Sequence, residues 1–120
     1  MSTPREFAEA FSGHRFREAY DALAPDVRWT MVGEGVLSGR DAAVEACEDT
    51  LRELASGTAE FLRFVVAAGP DATAVDVIAR YVDADGGGSL VSSCDVYEFR
   101  DGLVTAITSY AVELDSAAQA

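Results

Sequence analysis

Apolar residues at helical spacing predict a short helix at the start of the chain. Thr3 is followed by a proline at the first helical position and by Glu6 three residues on, which is the arrangement of a capping box. Phe7 and Phe11 lie four residues apart and therefore share one face of the helix, until Gly13 interrupts the pattern. We therefore expect a first helix that starts at the capping box and ends at Gly13.

The same spacing predicts two further helices in the first half of the chain. Apolar residues recur at Phe16, Tyr20 and Leu23 as far as a proline at position 25, which favours a second short helix. Ser38 with an aspartate three residues later forms another cap pattern, and a glycine at position 57 ends the helix that it opens. The apolar positions of this third and longest helix follow at helical steps: Val44, Cys47, Leu51 and Leu54.

Alternating and β-rich runs predict one strand between the helices and four strands after them. In residues 26–32, Val27, Trp29 and Met31 alternate with polar side chains, as in a half-buried strand. Segments that contain glycine or aspartate separate four later runs: residues 59–68, 73–83, 90–100 and 103–114. Because the last link is Asp101-Gly102, a strong hairpin signal, we expect these four strands to form a meander.

The order of elements and the composition indicate one small α+β domain. Helices in the first half and strands in the second favour a fold in which the helices cover one face of an antiparallel sheet. The chain has 120 residues, of which 49% are apolar and 25% charged, enough to build a sizeable core. We assign residues 1–115 to the domain and expect residues 116–120, which are small and polar, to form a frayed tail.

Charge and composition exclude several classes of partner. The chain has 21 acidic residues, nine arginines and no lysine, so its formal net charge of −12 repels the phosphate backbone of nucleic acids. No apolar run approaches the roughly 20 residues of a membrane span, and residues 1–11 do not resemble a signal peptide. We therefore predict a cytoplasmic protein with no membrane or nucleic-acid partner. Cys47 and Cys94 match no metal-ligand spacing, so we expect two buried, reduced thiols and no metal.

The last predicted strand is apolar on both of its faces. One face carries Tyr110, Val112 and Leu114, and the other carries Leu103, Ile107 and Ala111. Only one of these faces can belong to the core, so the apolar side chains of the other face need a second surface that shields them from water. A homodimer formed through the outer face of the sheet is the simplest cover.

Asp95 stands out as a carboxylate on an apolar strand face. Four further residues share that face in the run 90–100: Val91, Ser93, Tyr97 and Phe99. An ionised carboxylate there is costly unless it is hydrogen-bonded or paired. Asp95 is therefore a general acid or base, a structural group satisfied by a hydroxyl or an arginine, or a residue at a solvated rim. Arg80 is one such arginine, although an exposed ion pair with Asp76, four residues earlier on the same strand face, is the simpler interpretation.

The residue opposite Asp95 depends on the register of the last hairpin. A two-residue loop of Asp101 and Gly102 pairs Phe99 with Val104 and puts Thr108 across from Asp95. A three-residue loop that starts at position 100 pairs Phe99 with Leu103 instead. The second register turns a different pair of residues inward: Ile107 and Ser109.

Three segments together resemble a known superfamily. They are YDALAPDVRW at residues 20–29, LSGRDAAVEA at residues 37–46 and DVYEFRDGLVTAITSY at residues 95–110. In this order they resemble the nuclear transport factor two-like superfamily, and within it the SnoaL-like polyketide cyclases and the ketosteroid isomerases. The resemblance spans nearly the whole chain. It implies a cystatin-like α+β barrel, in which three N-terminal helices close a cone-shaped, curved mixed or antiparallel sheet around one pocket.

The resemblance also implies a hydrophobic pocket in which Asp95 carries out acid–base chemistry. Asp95 stands seven residues before Gly102, where SnoaL-like cyclases carry an acid/base aspartate and ketosteroid isomerases carry one in an oxyanion hole. The residues that we assign to substrate binding are Tyr20, Trp29, Met31, Phe61, Tyr97 and Ser109. The second donor that such chemistry needs is Ser109, Thr108 or Tyr97, and we expect no metal or organic cofactor.

The chain departs from other catalytic patterns of the superfamily. The isomerase base position falls at Thr30, and the first helix has no tyrosine to complete an oxyanion hole. Limonene-type epoxide hydrolases use an arginine and two carboxylates, whereas here the second carboxylate position holds Ser109 and Tyr81 follows Arg80. The single histidine, His14, is predicted at the start of the second helix as a surface or capping residue.

Three hypotheses for the function follow. The first is a SnoaL-like enzyme that performs cyclase or isomerase chemistry on an apolar carbonyl substrate, with Asp95 as the group that moves the proton. The alternative is a non-catalytic dimeric ligand-binding or accessory domain, in which Asp95 is a structural hydrogen-bonding residue. The third is an enzyme similar to the epoxide hydrolases.

Overall fold

The computed structural model describes residues 3–115, which form a six-stranded sheet and a small number of helices. In this part of the chain the α-helices are α1 (Pro4–Ser12) and α2 (Arg40–Leu54), and single 3₁₀ turns cover Phe16–Glu18 and Tyr20–Ala22. The strands are β1 (Leu23–Met31), β2 (Gly35–Ser38), β3 (Thr58–Ala68), β4 (Ala72–Val82), β5 (Gly88–Arg100) and β6 (Leu103–Leu114). The predicted tail, residues 116–120, lies outside the described residues.

The strands form one mixed sheet in the order β2-β1-β6-β5-β4-β3. Each of β3, β4 and β5 runs antiparallel to the strand that follows it in the chain, so the predicted meander of four strands is confirmed. β1 lies beside β6 and runs parallel to it, and β2 adds an antiparallel edge. The order places β5 and β6 in the middle of the sheet, so side chains on their inner face lie at the centre of the molecule.

Helix α1 packs on the inner, concave face of the sheet. Its residues Phe7 and Phe11 lie against Tyr97 of β5, with ring centroids 5.2 and 5.7 Å apart. All three side chains are buried, and helix α2 packs nearby against β1 and β2. The chain thus has the α+β fold with a curved, cone-shaped sheet that the sequence predicted.

The predicted second helix is wrong, and two 3₁₀ turns replace it. Helix α1 begins with the predicted capping box, in which the Thr3 hydroxyl accepts a hydrogen bond from the Glu6 amide at 3.1 Å. It ends at Ser12, and His14 then turns the chain with a left-handed φ of 64°. Few residues remain before β1 starts at Leu23, and so short a helix has an unfavourable nucleus. The 3₁₀ turns still bury Phe16.

Strand β2 was not predicted, and Ser38 is not a helix cap. Ser38 pairs with Arg28 in the sheet, and Gly39 stands at the N-cap of α2 with a φ of 93° and no side-chain cap. The Gly39 amide donates to the carbonyl of Val27 at 2.8 Å. A hairpin between β1 and β2 therefore overrides the local cap pattern, because strand pairing satisfies more backbone groups than one capping hydroxyl.

The hairpin between β5 and β6 combines features of the two predicted registers. Its loop is the two-residue one, since Arg100 pairs with Leu103, and both loop residues have positive φ, as a type I′ turn requires. The ladder then shifts so that Glu98 pairs with Ala106, which leaves Thr105 as the extra residue of a bulge. The expected pair of Asp95 with Thr108 is therefore wrong, and Ser109 lies opposite Asp95.

Candidate active site

Three hydroxyl groups hold the carboxylate of Asp95 on the inner face of β5. The Ser109 hydroxyl, on the neighbouring strand β6, donates to Oδ1 at 2.7 Å. The Ser12 hydroxyl, at the end of α1, donates to Oδ2 at 2.8 Å, and the Tyr97 hydroxyl donates to the same oxygen at 3.3 Å. An ionised carboxylate can accept about four hydrogen bonds, so these donors satisfy most of its capacity.

Two of these hydroxyls also interact with each other. Ser12 Oγ and Tyr97 Oη lie 2.5 Å apart, and either can donate to the other. Both residues are buried, so their hydroxyls form hydrogen bonds with each other and with Asp95 and not with bulk water. Burial raises the pKa of Tyr97 well above its ordinary value, and the charge of Asp95 raises it further. The phenol therefore stays protonated and remains a donor.

An aromatic side chain orients the third hydroxyl. Trp29 Nε1 donates to Ser109 Oγ at 3.0 Å, which leaves the Ser109 hydrogen free to point at Asp95. Trp29 in turn packs against Phe11 of α1, with ring centroids 5.2 Å apart. Met31 pairs with Ser109 across β1 and β6 and so lies on the same inner face. Strand β1, helix α1 and the central hairpin thus contribute to one site.

The arginine that the sequence analysis considered as a partner for Asp95 lies away from it. Arg80 forms an ion pair of 3.6 Å with Glu60, and Asp76 forms one of 2.8 Å with Arg63, so the predicted pair of Arg80 with Asp76 is wrong. Arg80 pairs with Leu90 in the ladder, which places it on the outer face of the sheet, opposite to Asp95. It therefore serves neither as a partner for Asp95 nor as part of an epoxide-hydrolase arrangement.

His14 lies at the mouth of the cone and is not the surface residue that we predicted. Its ring packs against Phe16, Phe61 and Tyr81, with centroid distances of 5.6, 5.4 and 5.9 Å. Burial lowers the pKa of His14 below its ordinary value, and the negative charge of Asp95 opposes this shift in part. The imidazole is therefore neutral at neutral pH. The left-handed turn at the end of α1 directs the side chain inward.

Tyr20 lies apart from Asp95 in another polar cluster. Its hydroxyl donates to Glu48 of α2 at 2.6 Å, and Arg17 binds the same carboxylate through two nitrogens at 2.7 and 3.0 Å. The Arg17 hydrogen bonds are the largest cause that lowers the pKa of Glu48, to about 2. This cluster ties the 3₁₀ segment to α2. Of the six predicted binding residues, Trp29, Tyr97 and Ser109 contact one another or Asp95, Met31 is adjacent, Phe61 is at the mouth and Tyr20 is elsewhere.

The surface grooves formed by the described residues include two at the ends of the sheet. One of about 590 Å³ lies between the ends of β4, β5 and β6, with Arg80, Leu90 and Leu114 among its walls. The other, of about 480 Å³, lies near the last hairpin and is lined in part by Phe7 and Phe99. Neither groove has Asp95 in its wall. Asp95 and His14 both keep part of their accessible surface.

The described residues form no cluster of metal-ligating side chains. Within residues 3–115, no group of three or more His, Cys, Asp and Glu side chains is placed to hold a metal ion. Cys47 and Cys94 are both free thiols. Cys47 is buried as predicted, whereas the predicted burial of Cys94 is wrong, because this side chain is half-buried. No helix in residues 3–115 has the length and apolar character needed to cross a membrane.

Three site residues were missed by the sequence analysis, and two of them carried a usable pattern. Ser12 follows Ala8 by four residues and so lies on the buried face of α1. Tyr81 extends the inward alternation of β4, where Val75, Val77 and Ala79 are buried. His14 carried no such pattern, because its position depends on a left-handed backbone turn that follows the helix.

Comparison with solved structures identifies the class of this fold. An NTF2-like protein of unknown function from Cytophaga hutchinsonii is 26% identical, with a TM-score of 0.76 over 88% of this chain and 93% of that chain. A candidate polyketide cyclase from Xanthomonas campestris is 21% identical, with a TM-score of 0.70 over 87% of this chain and 83% of that chain. The cone-shaped sheet is therefore that of the NTF2-like proteins. No curated protein matches the chain.

The sequence of the chain also matches a protein-family model. The family model of the SnoaL-like domain matches residues 5–107, a span that runs from α1 into β6. The chain therefore belongs to the SnoaL-like domain family. This result confirms the resemblance that the three sequence segments indicated, and the match includes every residue of the Asp95 site except Ser109.

Proposed function

We propose that the protein is an enzyme that moves a proton on an apolar carbonyl substrate, with Asp95 as the base. The observation that carries this proposal is the setting of Asp95. Its carboxylate lies on the concave face of an apolar cone, accepts hydrogen bonds from neutral hydroxyls and keeps part of its accessible surface. Within residues 3–115 no cation pairs with it, so the carboxylate remains available to accept a proton.

The reaction needs no external reagent. Asp95 removes a proton from a carbon next to, or conjugated with, a carbonyl group, and the electron pair of the broken C–H bond moves onto the carbonyl oxygen as an enolate. Return of the proton to another carbon gives an isomer. Attack of the enolate carbon on a second carbonyl instead closes a ring, and the alkoxide formed from that carbonyl takes the proton back from Asp95. In both cases Asp95 ends as it began, which suits a residue held in place by Ser12 and Ser109.

The relatives support the same class of chemistry. The solved structures similar in fold include candidate polyketide cyclases from Xanthomonas campestris and Pseudomonas putida, the latter 14% identical with a TM-score of 0.73 over 92% of each chain. The hydrophobic side chains around the site, among them Trp29 and Phe61, fit a flat apolar substrate.

The test is hydrogen exchange at acidic carbons in deuterated water, followed by NMR. Two ketones serve as probes: 2-tetralone, whose acidic carbon adjoins the carbonyl, and anthrone, whose acidic carbon lies across the ring from it. We expect the protein to accelerate exchange of at least one probe more than about tenfold over buffer, and we expect the Asp95→Asn variant to show only the background rate.

A matched variant controls for changes in charge and fold. Asp76→Asn removes a carboxylate from the outer face of the neighbouring strand and should leave the exchange rate unchanged. In Asp95→Asn the new amide retains one acceptor oxygen for Ser109, and its nitrogen can donate to Ser12, so this variant should fold with a nearly unchanged melting temperature. Equal exchange rates in the wild type and Asp95→Asn would contradict the proposal.

A second candidate function is a non-catalytic dimeric ligand-binding or accessory domain. It is favoured by the near-complete hydrogen bonding of Asp95, which is what a structural carboxylate requires. In this case Asp95→Asn lowers the melting temperature by several degrees, and neither ketone exchanges faster than in buffer. The exchange and melting experiments together therefore distinguish the two functions.

A second copy of the chain is the proposed partner in both cases. The outer face of the sheet carries exposed apolar side chains, among them Val65 (45% exposed), Tyr110 (49%) and Val112 (62%). Single exposed apolar residues are common, but such a group on the middle and edge of one sheet face favours an interface. Two copies that each carry a charge of −12 repel each other, so association should strengthen as salt screens that charge.

Sedimentation at low and at high salt tests this part of the proposal. We expect a monomer–dimer equilibrium that shifts toward dimer at high salt, and a Val112→Glu variant that stays monomeric, because it buries a charge in the interface. Glu113→Gln, at the neighbouring position on the other face of β6, is the matched control and should dimerise like the wild type. A wild type that is monomeric under both conditions would contradict the proposed dimer.

A further inference from the structure

His14 and Tyr81 form a polar pair that takes no part in the hydrogen bonding of Asp95. The His14 Nε2 and the Tyr81 hydroxyl lie 3.4 Å apart, and both side chains are half-buried at the concave mouth. Phe16 and Phe61 flank the imidazole ring with centroid distances of 5.6 and 5.4 Å. The two polar groups thus lie among aromatic side chains.

Both members of the pair are neutral and able to donate a hydrogen bond. Burial lowers the pKa of His14, so the imidazole carries one hydrogen and no charge at neutral pH. Burial raises the pKa of Tyr81, and the charge of Asp95 raises it further, so the phenol stays protonated. Two neutral donors at this separation can both point at one oxygen atom.

The pair lies at a different depth of the cone from Asp95. Asp95 pairs with Val75 on β4, and Tyr81 follows Val75 by six residues on the same inner face. This is about 20 Å along a straight strand at roughly 3.3 Å per residue. The curvature of the sheet and the length of the side chains bring the groups closer. Ser12, which lies two residues before His14, donates to Asp95 at 2.8 Å.

We propose that His14 and Tyr81 bind the carbonyl oxygen of a fused-ring substrate whose acidic carbon faces Asp95 at the opposite end of the ligand. This inference rests on the proposed acid–base function of Asp95 and adds the second donor that such a function needs. The separation in depth favours a conjugated bicyclic or tricyclic ketone over a small one. When the C–H bond breaks, its electron pair moves through the conjugated ring to the oxygen, and the two neutral donors stabilise the oxyanion.

A pair of ligands that differ by one oxygen tests the site without any turnover. 2-Naphthol and naphthalene share a flat apolar ring system, and only 2-naphthol has an oxygen for the pair to bind. His14 is the single histidine of the chain, so its ring resonances report contact with the ligand without ambiguity. We expect 2-naphthol to bind more tightly than naphthalene and to shift the His14 ring nitrogen resonances in a saturable manner.

The Tyr81→Phe variant removes one of the two donors and keeps the ring. We expect its affinity for 2-naphthol to fall about tenfold, because the loss of one neutral hydrogen bond lowers affinity by about this factor. The affinity for naphthalene should stay unchanged. Tyr110→Phe, on the outer face, is the matched control and should bind both ligands like the wild type. A purely structural hydrogen bond between His14 and Tyr81 would alter the melting temperature without changing the preference for the oxygen.

Two outcomes would overturn the inference. One is an equal affinity of the wild type for the two ligands, including no binding of either, and the other is an unchanged preference for 2-naphthol in Tyr81→Phe. The exchange experiment on Asp95 is separate. Exchange that depends on Asp95 without an effect of Tyr81→Phe on 2-naphthol would refute this inference alone, and a Tyr81-dependent preference without exchange would refute the acid–base function alone.

Discussion

Two aspartates on neighbouring strands face opposite sides of the same sheet. Asp76 of β4 pairs in the ladder with Cys94, the residue before Asp95 of β5. On the outer face, Arg63 binds Asp76 at 2.8 Å, and both side chains are about half exposed, at 50% and 47%. On the inner face, hydroxyl groups bind Asp95.

The two aspartates differ in whether a positively charged partner neutralises the carboxylate. An arginine neutralises the carboxylate that it binds, whereas a hydroxyl satisfies hydrogen-bonding capacity and leaves the negative charge in place. The outer pair is therefore a solvated contact worth about 0–1 kcal/mol, as is usual for exposed ion pairs. Within residues 3–115 the inner carboxylate has no such cation beside it, and the hydrogen bonds of Ser12, Ser109 and Tyr97 offset the cost of holding it there.

The largest expected effect compares a tyrosine on each face. Tyr97→Ala removes a side chain that is 0% exposed and packs on Phe7 and Phe11, so we expect a loss of about 3–5 kcal/mol in the free energy of unfolding. Tyr110→Ala removes a side chain that is 49% exposed on the outer face, with an expected loss below about 1 kcal/mol in the monomer. Urea denaturation at low protein concentration measures both. Similar losses would mean that the inner face is not the core.

A smaller effect concerns one hydroxyl of the inner face. Ser12→Ala removes a donor to Asp95 and a partner of the buried Tyr97 hydroxyl, so we expect a loss of about 1–2 kcal/mol in the free energy of unfolding. Ser92→Ala, on the outer face of β5, should change it by less than about 0.5 kcal/mol. If the two variants lose the same stability, the inner hydroxyls do not support the carboxylate as described.

The smallest effect concerns a carboxylate that an arginine does neutralise. Arg17 is the main cause that lowers the pKa of Glu48 to about 2, from 4.5 in the absence of the fold. Since the folded pKa is the lower one, the pair stabilises the fold above about pH 4.5, and this contribution is lost as the pH falls toward 2. We expect the stability difference between the wild type and Glu48→Gln to be constant above about pH 5 and to shrink on acidification. A difference that grows as the pH falls would contradict this assignment.

Much of the fold could be predicted because its signals are local. The capping box at Thr3 acts within one helical turn, and the type I′ turn at Asp101 and Gly102 depends on two residues that accept positive φ. The period-two alternation of the later strands indicated the meander. The predicted second helix failed because Phe16 and Leu23 keep helical spacing over too short a segment to form one.

The candidate site could be predicted only in part. Asp95 and Tyr97 share a strand face, and period two alone places them together. Ser109 depends on the bulge at Thr105, which shifts the ladder by one residue and turns Ser109 rather than Thr108 toward Asp95. The sequence contained both alternatives, and no pattern in residues 103–109 selects between them.

The sequence by itself determined the α+β class, the meander, the family and the choice of Asp95 as the unusual carboxylate. These depend on residue type and spacing within single elements and on the order of those elements along the chain. Only the tertiary structure decided which groups surround Asp95, because Ser12 and Ser109 come from elements far apart in the chain. It also decided the inward position of His14, since a left-handed turn after α1 directs the ring to Tyr81. Contacts across the fold arise from packing and register, which local spacing does not encode.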